Sequence, residues 1–425
     1  MKPYLLNLVK KVSFPKLLLI AAIIRIVLVP ISFHSDLNTN AIWGIYAREF
    51  GLRGYYDWLN FGNYARPEYP PFAILIFMKI RHLWEFLFQI VWKINISIDL
   101  FPSNLVTWFE KYGYLSLLKL PGILADIGIG YLIYLFVKKN QDSDNEAKGI
   151  SILYLFNPAV IYISSVWGQI ESVVSFFFLY SLILIHKKDF VRGFISTIIA
   201  FLTKATYALF IPILVLESFK RKISWTDLTR IIILGFLVIY ITGVVFTDHN
   251  FISWLPKNYF LKFITPGGGA LPFINLNSFN FWGLLVGLDR VSDKTLFLFT
   301  DIKNWAYLIS FIFLVFIYYR FWKGADIFFT CLLVAYSSFL FFPHIHERYL
   351  FPAMVFFPLV IAKNKDLKKV FFFSSLIFLI NLYHWWWVPN ISPLVTLFDL
   401  ELVERGLSLT NLVSFSYLLW KYQSS

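Results

Sequence analysis

Residues 71–92 read PFAILIFMKIRHLWEFLFQIVW, and whether this stretch crosses a membrane decides how the rest of the chain is threaded. It is apolar enough to suggest a span, yet it carries Lys79, Arg81, His82 and Glu85 in its interior. Four ionisable groups at mid-membrane depth carry a heavy desolvation cost. The stretch therefore reads as an amphipathic helix lying along the membrane surface.

The chain around it requires lipid as solvent. Of 425 residues 58% are hydrophobic and only 15% charged, with a mean hydropathy of +0.67. That is more apolar surface than one water-soluble core can hide. Aromatics make up 20%, and the Trp and Tyr among them suit membrane interfaces. The net charge of +13 does not call for nucleic acid, because Lys and Arg occur as short clusters between apolar runs. The single cysteine, Cys331, lies inside an apolar run and excludes a disulfide framework or a Cys-based metal site. The basic N-terminus and the apolar run 17–33 resemble a signal peptide without a small-residue cleavage site, so they read as an uncleaved first span.

A spanning helix needs about 20 apolar residues. Candidates are 17–33, 120–137, 150–166, 170–185, 190–202, 205–216, 228–246, 306–319, 327–342, 349–362, 370–383 and, more weakly, 409–420. The expected fold is all-α and polytopic, with about 10–12 transmembrane helices. Basic clusters check the threading, since short cytoplasmic loops are enriched in Lys and Arg. They fall at the N-terminus, Lys138/Lys139/Lys148, Lys187/Lys188, Lys220/Arg221/Lys222, Arg320/Lys323 and Lys363/Lys365/Lys368/Lys369, that is, in every second loop. The alternation requires 34–119 to be one external segment with surface helices. It places the N-terminus in the cytoplasm and makes 1–425 a single membrane domain, with a helical core over 120–388 and a C-terminal loop and possible last helix over 389–425. The polar run 140–148 and the Gly267-Gly268-Gly269 turn are the expected flexible loops.

With that threading the conspicuous polar stretches all fall outside: His34-Ser35-Asp36, Glu68-Tyr69-Pro70-Pro71, Trp167-Gly168-Gln169-Ile170-Glu171, 275–282, and His344-Ile345-His346-Glu347-Arg348. Acidic, imidazole and guanidinium groups gathered at the outer ends of several helices suggest a site. Asp36 has two readings: a carboxylate base in a partly dry cleft, or the N-cap of a helix over 40–50. On a helix His344 and Arg348 share a face and can grip a phosphate. A structural interface cluster is the alternative, and a divalent ion on His344, His346 and Glu347 is the less favoured one. Tandem prolines stiffen the chain behind Glu68 and Tyr69 and aim them. Asp126 and Lys204 are costly in or near a span unless they face a cleft or, as for Asp126 with Arg25, a partner. Trp167, Gln169 and Glu171 form either a sugar-binding turn or a plain interfacial hairpin.

The order of these motifs resembles that of the GT-C superfamily of membrane glycosyltransferases. The features are the external Asp36, Tyr69-Pro70-Pro71 before the surface helix, Lys119-Leu120-Pro121 with Asp126 inside the next span, Asn157-Pro158 before Trp167-Gly168-Gln169, and His346-Glu347-Arg348-Tyr349. The resemblance covers residue 17 to about 352 and is nearest to prokaryotic proteins related to the GPI mannosyltransferases. It implies an inverting, mannosyltransferase-like enzyme that moves one hexose from a polyprenyl- or dolichyl-phosphate donor to an external lipid-linked or glycan acceptor. It implies Asp36 as base; Arg348, His344, His346 and Lys204 near the donor phosphate; and Glu68, Tyr69, Asp126, Trp167, Gln169, Glu171 and Glu347 about the sugar or acceptor. Some relatives carry an Asp-x-Asp in the first loop and use a divalent ion. Here Ser35 precedes Asp36 and Asp57 is the next acid, which favours a reaction without metal or other cofactor. The competing reading is a lipid-linked oligosaccharide flippase or other transporter, which predicts polar, broken helices at mid-membrane in two corresponding halves.

Overall fold

A computed structural model describes residues 12–57, 61, 66–248, 250–258, 271–288 and 290–423. The Gly267–Gly269 turn and the basic residues before position 12 lie outside the described residues. Among the described residues the fold is all-helical apart from two two-stranded patches and one isolated bridge, Phe273 to Ser292. The expected spans fall on helical segments, although 150–166 is broken at Asn157 and 205–216 begins as a 3-10 turn. Among the described residues five helices are long and apolar enough to cross a membrane: Phe14–Ile31, Ser103–Gln141, Trp225–Phe246, Ile302–Trp322 and Lys365–Trp386. A sixth arises if Asp144–Leu155 and Pro158–Trp167, bent by 50° at Asn157, count as one.

Lipid contact explains which helices are long. Leu19, Ile23 and Val27 on the first helix, Ile232, Ile233 and Phe236 on Trp225–Gly243, and Phe311, Ile312 and Val315 on Ile302–Trp322 are all exposed, and such faces are stable only against hydrocarbon. Together these faces make a multi-pass membrane protein. The inner helices Ile327–Phe341 and Phe351–Lys363 are buried in protein along almost their whole length. They tolerate shorter helical runs because neighbouring protein, not lipid, meets their ends. Residues 71–92 lie in a 27-residue helix, Pro71–Ser97. It is not among the helices apolar enough to span, and it buries Ala73, Ile74 and Phe77 on one side only.

Helix Pro71–Ser97 is held by the helix before it, Ser35–Glu49, which turns Leu37, Ala41, Gly44 and Ala47 inward, a stripe at helical spacing. Gly44 is required by close approach: a Cβ there would lie 2.9 Å from the Phe77 backbone and closer still to the Tyr114 hydroxyl. That hydroxyl donates to the Phe77 carbonyl at 3.0 Å and ties in helix Ser103–Leu118.

Asp126 does not join Asp36, Gln169 and Arg348. It is fully buried against Arg25, whose Nε donates to Asp126 Oδ2 at 3.1 Å, and Tyr154 donates to Asp126 Oδ1 at 2.8 Å. Arg25 Nη1 also donates to the Leu155 carbonyl at 2.8 Å, where the bent helix has lost its own donors. The expectation that Asp126 shapes a sugar pocket is thus corrected: it neutralises a cation in the adjacent helix, because a lone carboxylate at this depth would be too costly. Asp126→Ala leaves Arg25 charged, buried and unmatched. It should cost about 3–5 kcal/mol, read as a fall in the thermal unfolding midpoint in detergent, whereas Arg25→Met with Asp126→Leu should recover most of that loss.

Candidate functional site

The site is assembled by helix ends. The first helix closes with a turn over Val29–Ile31, and three residues later His34 caps helix Ser35–Glu49 by accepting the Asp36 N–H on Nδ1 at 3.0 Å. Asp36 is therefore not the cap. It sits in the first turn, where the helix dipole favours a carboxylate, and its side chain points away from its own backbone toward Gln169 and Arg348. His34 is buried, and burial holds its pKa below the ordinary value, as a ring that accepts through Nδ1 requires.

The second wall comes from the bent helix. Asn157 accepts the Ala159 N–H and restarts the helix at Pro158. A π-helical turn, Tyr162–Trp167, then ends at Gly168, whose φ is +91°. An alanine Cβ there would come within 3.1 Å of both Leu37 and Lys119, so this position needs glycine for both space and backbone. Gln169 follows and donates from Nε2 to Asp36 Oδ2. Glu171, in the first turn of Glu171–His186, is buried and accepts from Lys204 Nζ at 2.5 Å. Lys204, at the end of Phe190–Thr203, places its ammonium 5.1 Å from the centre of the Tyr69 ring and 5.6 Å from that of Tyr349.

The third wall carries Arg348. Residues 344–348 do not form one α-helix, so the expected shared helical face of His344 and Arg348 does not exist. Ile345–His346 pairs in parallel with Asn275–Leu276, and a 3-10 turn, Glu347–Leu350, follows. His344, in the left-handed region at φ +60°, precedes the strand and Arg348 lies in the turn after it, so no single helical or strand repeat relates the two side chains. His344 turns away to Asp293, with 3.1 Å between Nε2 and Oδ2, while Arg348 turns inward. His344 is thereby removed from the donor-phosphate group. His346 stays at the edge, with its ring 5.3 Å from Tyr349, and burial and Arg348 both lower its pKa. The polar stretch 275–282 proves to be a tie: Asn280 and Trp282 bond the carbonyls of Phe339 and Phe341 where that helix ends.

Arg348 is the hub. Nη1 donates to Glu347 Oε1 at 2.8 Å, Nη2 lies 3.8 Å from Asp36 Oδ2, and Nε lies 3.9 Å from Glu171 Oε1. Its guanidinium is also 6.0 Å from the Trp167 ring centre. Burial opposes ionisation of Asp36, but Arg348, His34, the Gln169 hydrogen bond and Lys204 outweigh it, and the carboxyl is held below the usual carboxylate range. Glu347, more deeply buried, is likewise held low against burial by Arg348. Burial pushes the Tyr69 phenol up to about 12. Glu68 stands exposed at the rim, within the field of Lys204 and Arg348.

The arrangement brings together Asp36, Tyr69, Trp167, Gln169, Glu171, Lys204, Glu347 and Arg348 from five separate segments. Trp167 Nε1, Gln169 Oε1, Glu171 Oε2 and Arg348 Nε are buried without a hydrogen-bond partner, a local excess of hydrogen-bonding capacity that a polar ligand can use. Sequence reasoning missed three contributors. His34 and Trp386 stack about Trp167, at 4.4 Å and 5.8 Å, and Tyr349 lies between both cations. Tyr349 was legible as the residue after Glu347-Arg348; Trp386 gave no signal beyond a run of interfacial tryptophans.

Among the described residues, the grouping with metal-ligand spacing lies elsewhere: His384, Asp399 and Glu404 offer atoms within 4.8 Å of one another. His384 already bonds Glu404 directly at 3.0 Å. At the Asp36 site the carboxylates face cations and an amide. No protein-family model matches the chain, and the search among curated proteins found no relative. Gly168→Ala should force the Trp167–Gln169 turn off Leu37 and Lys119, costing about 1–2 kcal/mol for the left-handed backbone alone. The check is a lowered unfolding midpoint together with increased accessibility of the buried Trp167 to a fluorescence quencher.

Proposed function

We propose that the chain is an inverting glycosyltransferase that takes one hexose from a polyprenyl-phosphate donor and passes it to a lipid-linked or glycan acceptor on the extracytoplasmic face. The observation that carries the reading is an ionised Asp36 at a half-open position, less than 4 Å from a guanidinium that is itself anchored by buried carboxylates. In this reading the shorter apolar helices complete a set of about 10–12 spans of GT-C type, and the alternation of basic loops sets the N-terminus in the cytoplasm.

The chemistry is a single displacement. The acceptor hydroxyl oxygen attacks the anomeric carbon and forms the new glycosidic bond. Its proton passes to an Asp36 oxygen, and the bond from the anomeric carbon to the phosphate oxygen breaks from the opposite face. The electron pair leaves on the lipid phosphate. Asp36 can take a proton because it is charged in the resting site, and Gln169 holds one of its oxygens in place. Charge accumulating on the leaving phosphate is what Arg348 and Lys204 would meet. Glu171 and Glu347 keep those cations charged and aimed, and the phosphate would bind at Arg348 Nε, which makes no hydrogen bond, and at the ammonium of Lys204. Tyr69, Trp167 and the rim residue Glu68 are placed to contact a sugar ring and its hydroxyls.

The test is transfer by detergent-purified protein from a panel of polyprenyl-phosphate sugars, with and without a chelator. Activity should survive chelation, and Asp36→Asn should lower kcat by roughly 10²–10⁴-fold with an unchanged unfolding midpoint. Because the Asp36 carboxyl is depressed in the folded protein, it stays ionised as pH falls from 8 to about 5. The base therefore imposes no loss of rate across that window, and a loss appears only below the ordinary carboxylate range. A folded protein that consumes no donor while moving lipid-linked sugar across a vesicle would replace this reading with the transporter.

A further inference from the structure

A cavity of about 590 Å³ opens at a set of helix ends that carries basic loops, separate from the Asp36 site. Three loops wall it, and each contains a basic cluster: Lys187/Lys188, Lys220/Arg221/Lys222 and Arg320/Lys323 with Gly324. We infer that this cavity binds the phosphate of an anionic phospholipid headgroup in the leaflet that meets these basic loops. The inference does not rest on the transferase reading.

Charge within the cavity is sorted. Its two acids are engaged by the protein itself. Glu217, buried, accepts from Arg221 Nε and lies 3.0 Å from His186 Nδ1. Asp326 accepts the N–H groups of Phe328 and Phe329 and pairs with Lys363 at 2.5 Å. Lys220 donates to the Phe321 carbonyl. Lys188 and Lys222 make no ion pair among the described residues, line the cavity, and are exposed. Both sit in the left-handed region, at φ of 65° and 60°, where glycine or asparagine would be easier. Two strained lysines facing one cavity from two different turns are a costly way to end helices and an economical way to present ammonium groups to an anion. Arg221, half-buried and fixed by Glu217, adds a fork whose Nη2 lies 2.8 Å from His186 Nδ1.

The exposed aromatic residues beside the cavity select a lipid over a soluble phosphate. Exposed Phe219, Trp225 and Trp322 flank the same loops, and tryptophan in this position marks the headgroup region of a bilayer. A juxtamembrane Lys or Arg attracts anionic lipid, and here two free ones and an anchored arginine converge on a pre-formed hollow.

Native mass spectrometry of the full chain, released from neutral detergent after titration with phosphatidylglycerol or phosphatidylcholine, tests this. The expected result is selective retention of phosphatidylglycerol. Retention should weaken roughly tenfold or more in the double variant K188Q/K222Q and be preserved in K368Q/K369Q, which removes equal charge outside the cavity. Millimolar inorganic pyrophosphate should leave the bound lipid in place. Equal retention by K188Q/K222Q, equal retention of phosphatidylcholine, or displacement by pyrophosphate overturns the assignment.

Discussion

The ammonium of Lys119 holds the geometry on which the site depends. It is almost fully buried and donates to three carbonyls, Val29 at 2.8 Å, Ser32 at 2.6 Å and Val166 at 2.9 Å. Those carbonyls lie at the C-terminal ends of two helical segments that have lost their intrahelical partners, where a cation is favourable. One end leads within a few residues to Asp36 and the other to Gln169. A single side chain at the start of Leu120–Gln141 therefore fixes the two segments whose polar groups meet. The Phe33 ring, 4.8 Å from Nζ, closes the remaining side.

Electrostatics then organise what Lys119 positions. Lys204 and Arg348 stand among Asp36, Glu171 and Glu347, so that no buried charge in the cluster lacks an opposite neighbour. Arg348 keeps Glu347 and Glu171 if its contact with Asp36 is lost, whereas removing Glu171 takes from Lys204 its paired carboxylate in a low-dielectric setting. The same rule operates deeper in the bundle at Arg25 and Asp126, but there every oxygen of the carboxylate is engaged. The difference separates a closed pair from a cluster with hydrogen-bonding capacity left over. At the outer cluster, polar atoms remain buried and unengaged, and Asp36 keeps about a third of its side chain accessible.

Lipid imposes the third constraint. Helices that face it are long and apolar outward. Helices wrapped by protein can be short, carry Pro358, or change from 3-10 to α within a few residues. The breaks near Asn157, Lys204 and Arg348 all occur where other protein surrounds the backbone, and it is from these breaks that Gln169, Lys204 and Arg348 are presented. A lipid-exposed helix could not be interrupted in this way.

Composition and charge alone determined that this is an all-helical membrane protein. The segments 17–33, 120–137 and 228–246 are legible because hydrophobicity needs no partner to be read, and the charges at Lys79, Arg81 and Glu85 distinguish helix Pro71–Ser97 for the same reason. Much of the candidate site was also legible, since Asp36, Gln169, Glu171, Lys204 and Arg348 are polar groups at helix ends. Tertiary structure alone decided which of them meet. It sent Asp126 to Arg25 and His344 to Asp293, because pairing depends on which helix lies alongside and on whether 344–348 forms one α-helix. Neither is fixed by local sequence: a strand of two residues exists only by virtue of its partner at Asn275–Leu276, and a buried charge takes whichever opposite charge the packing brings within reach.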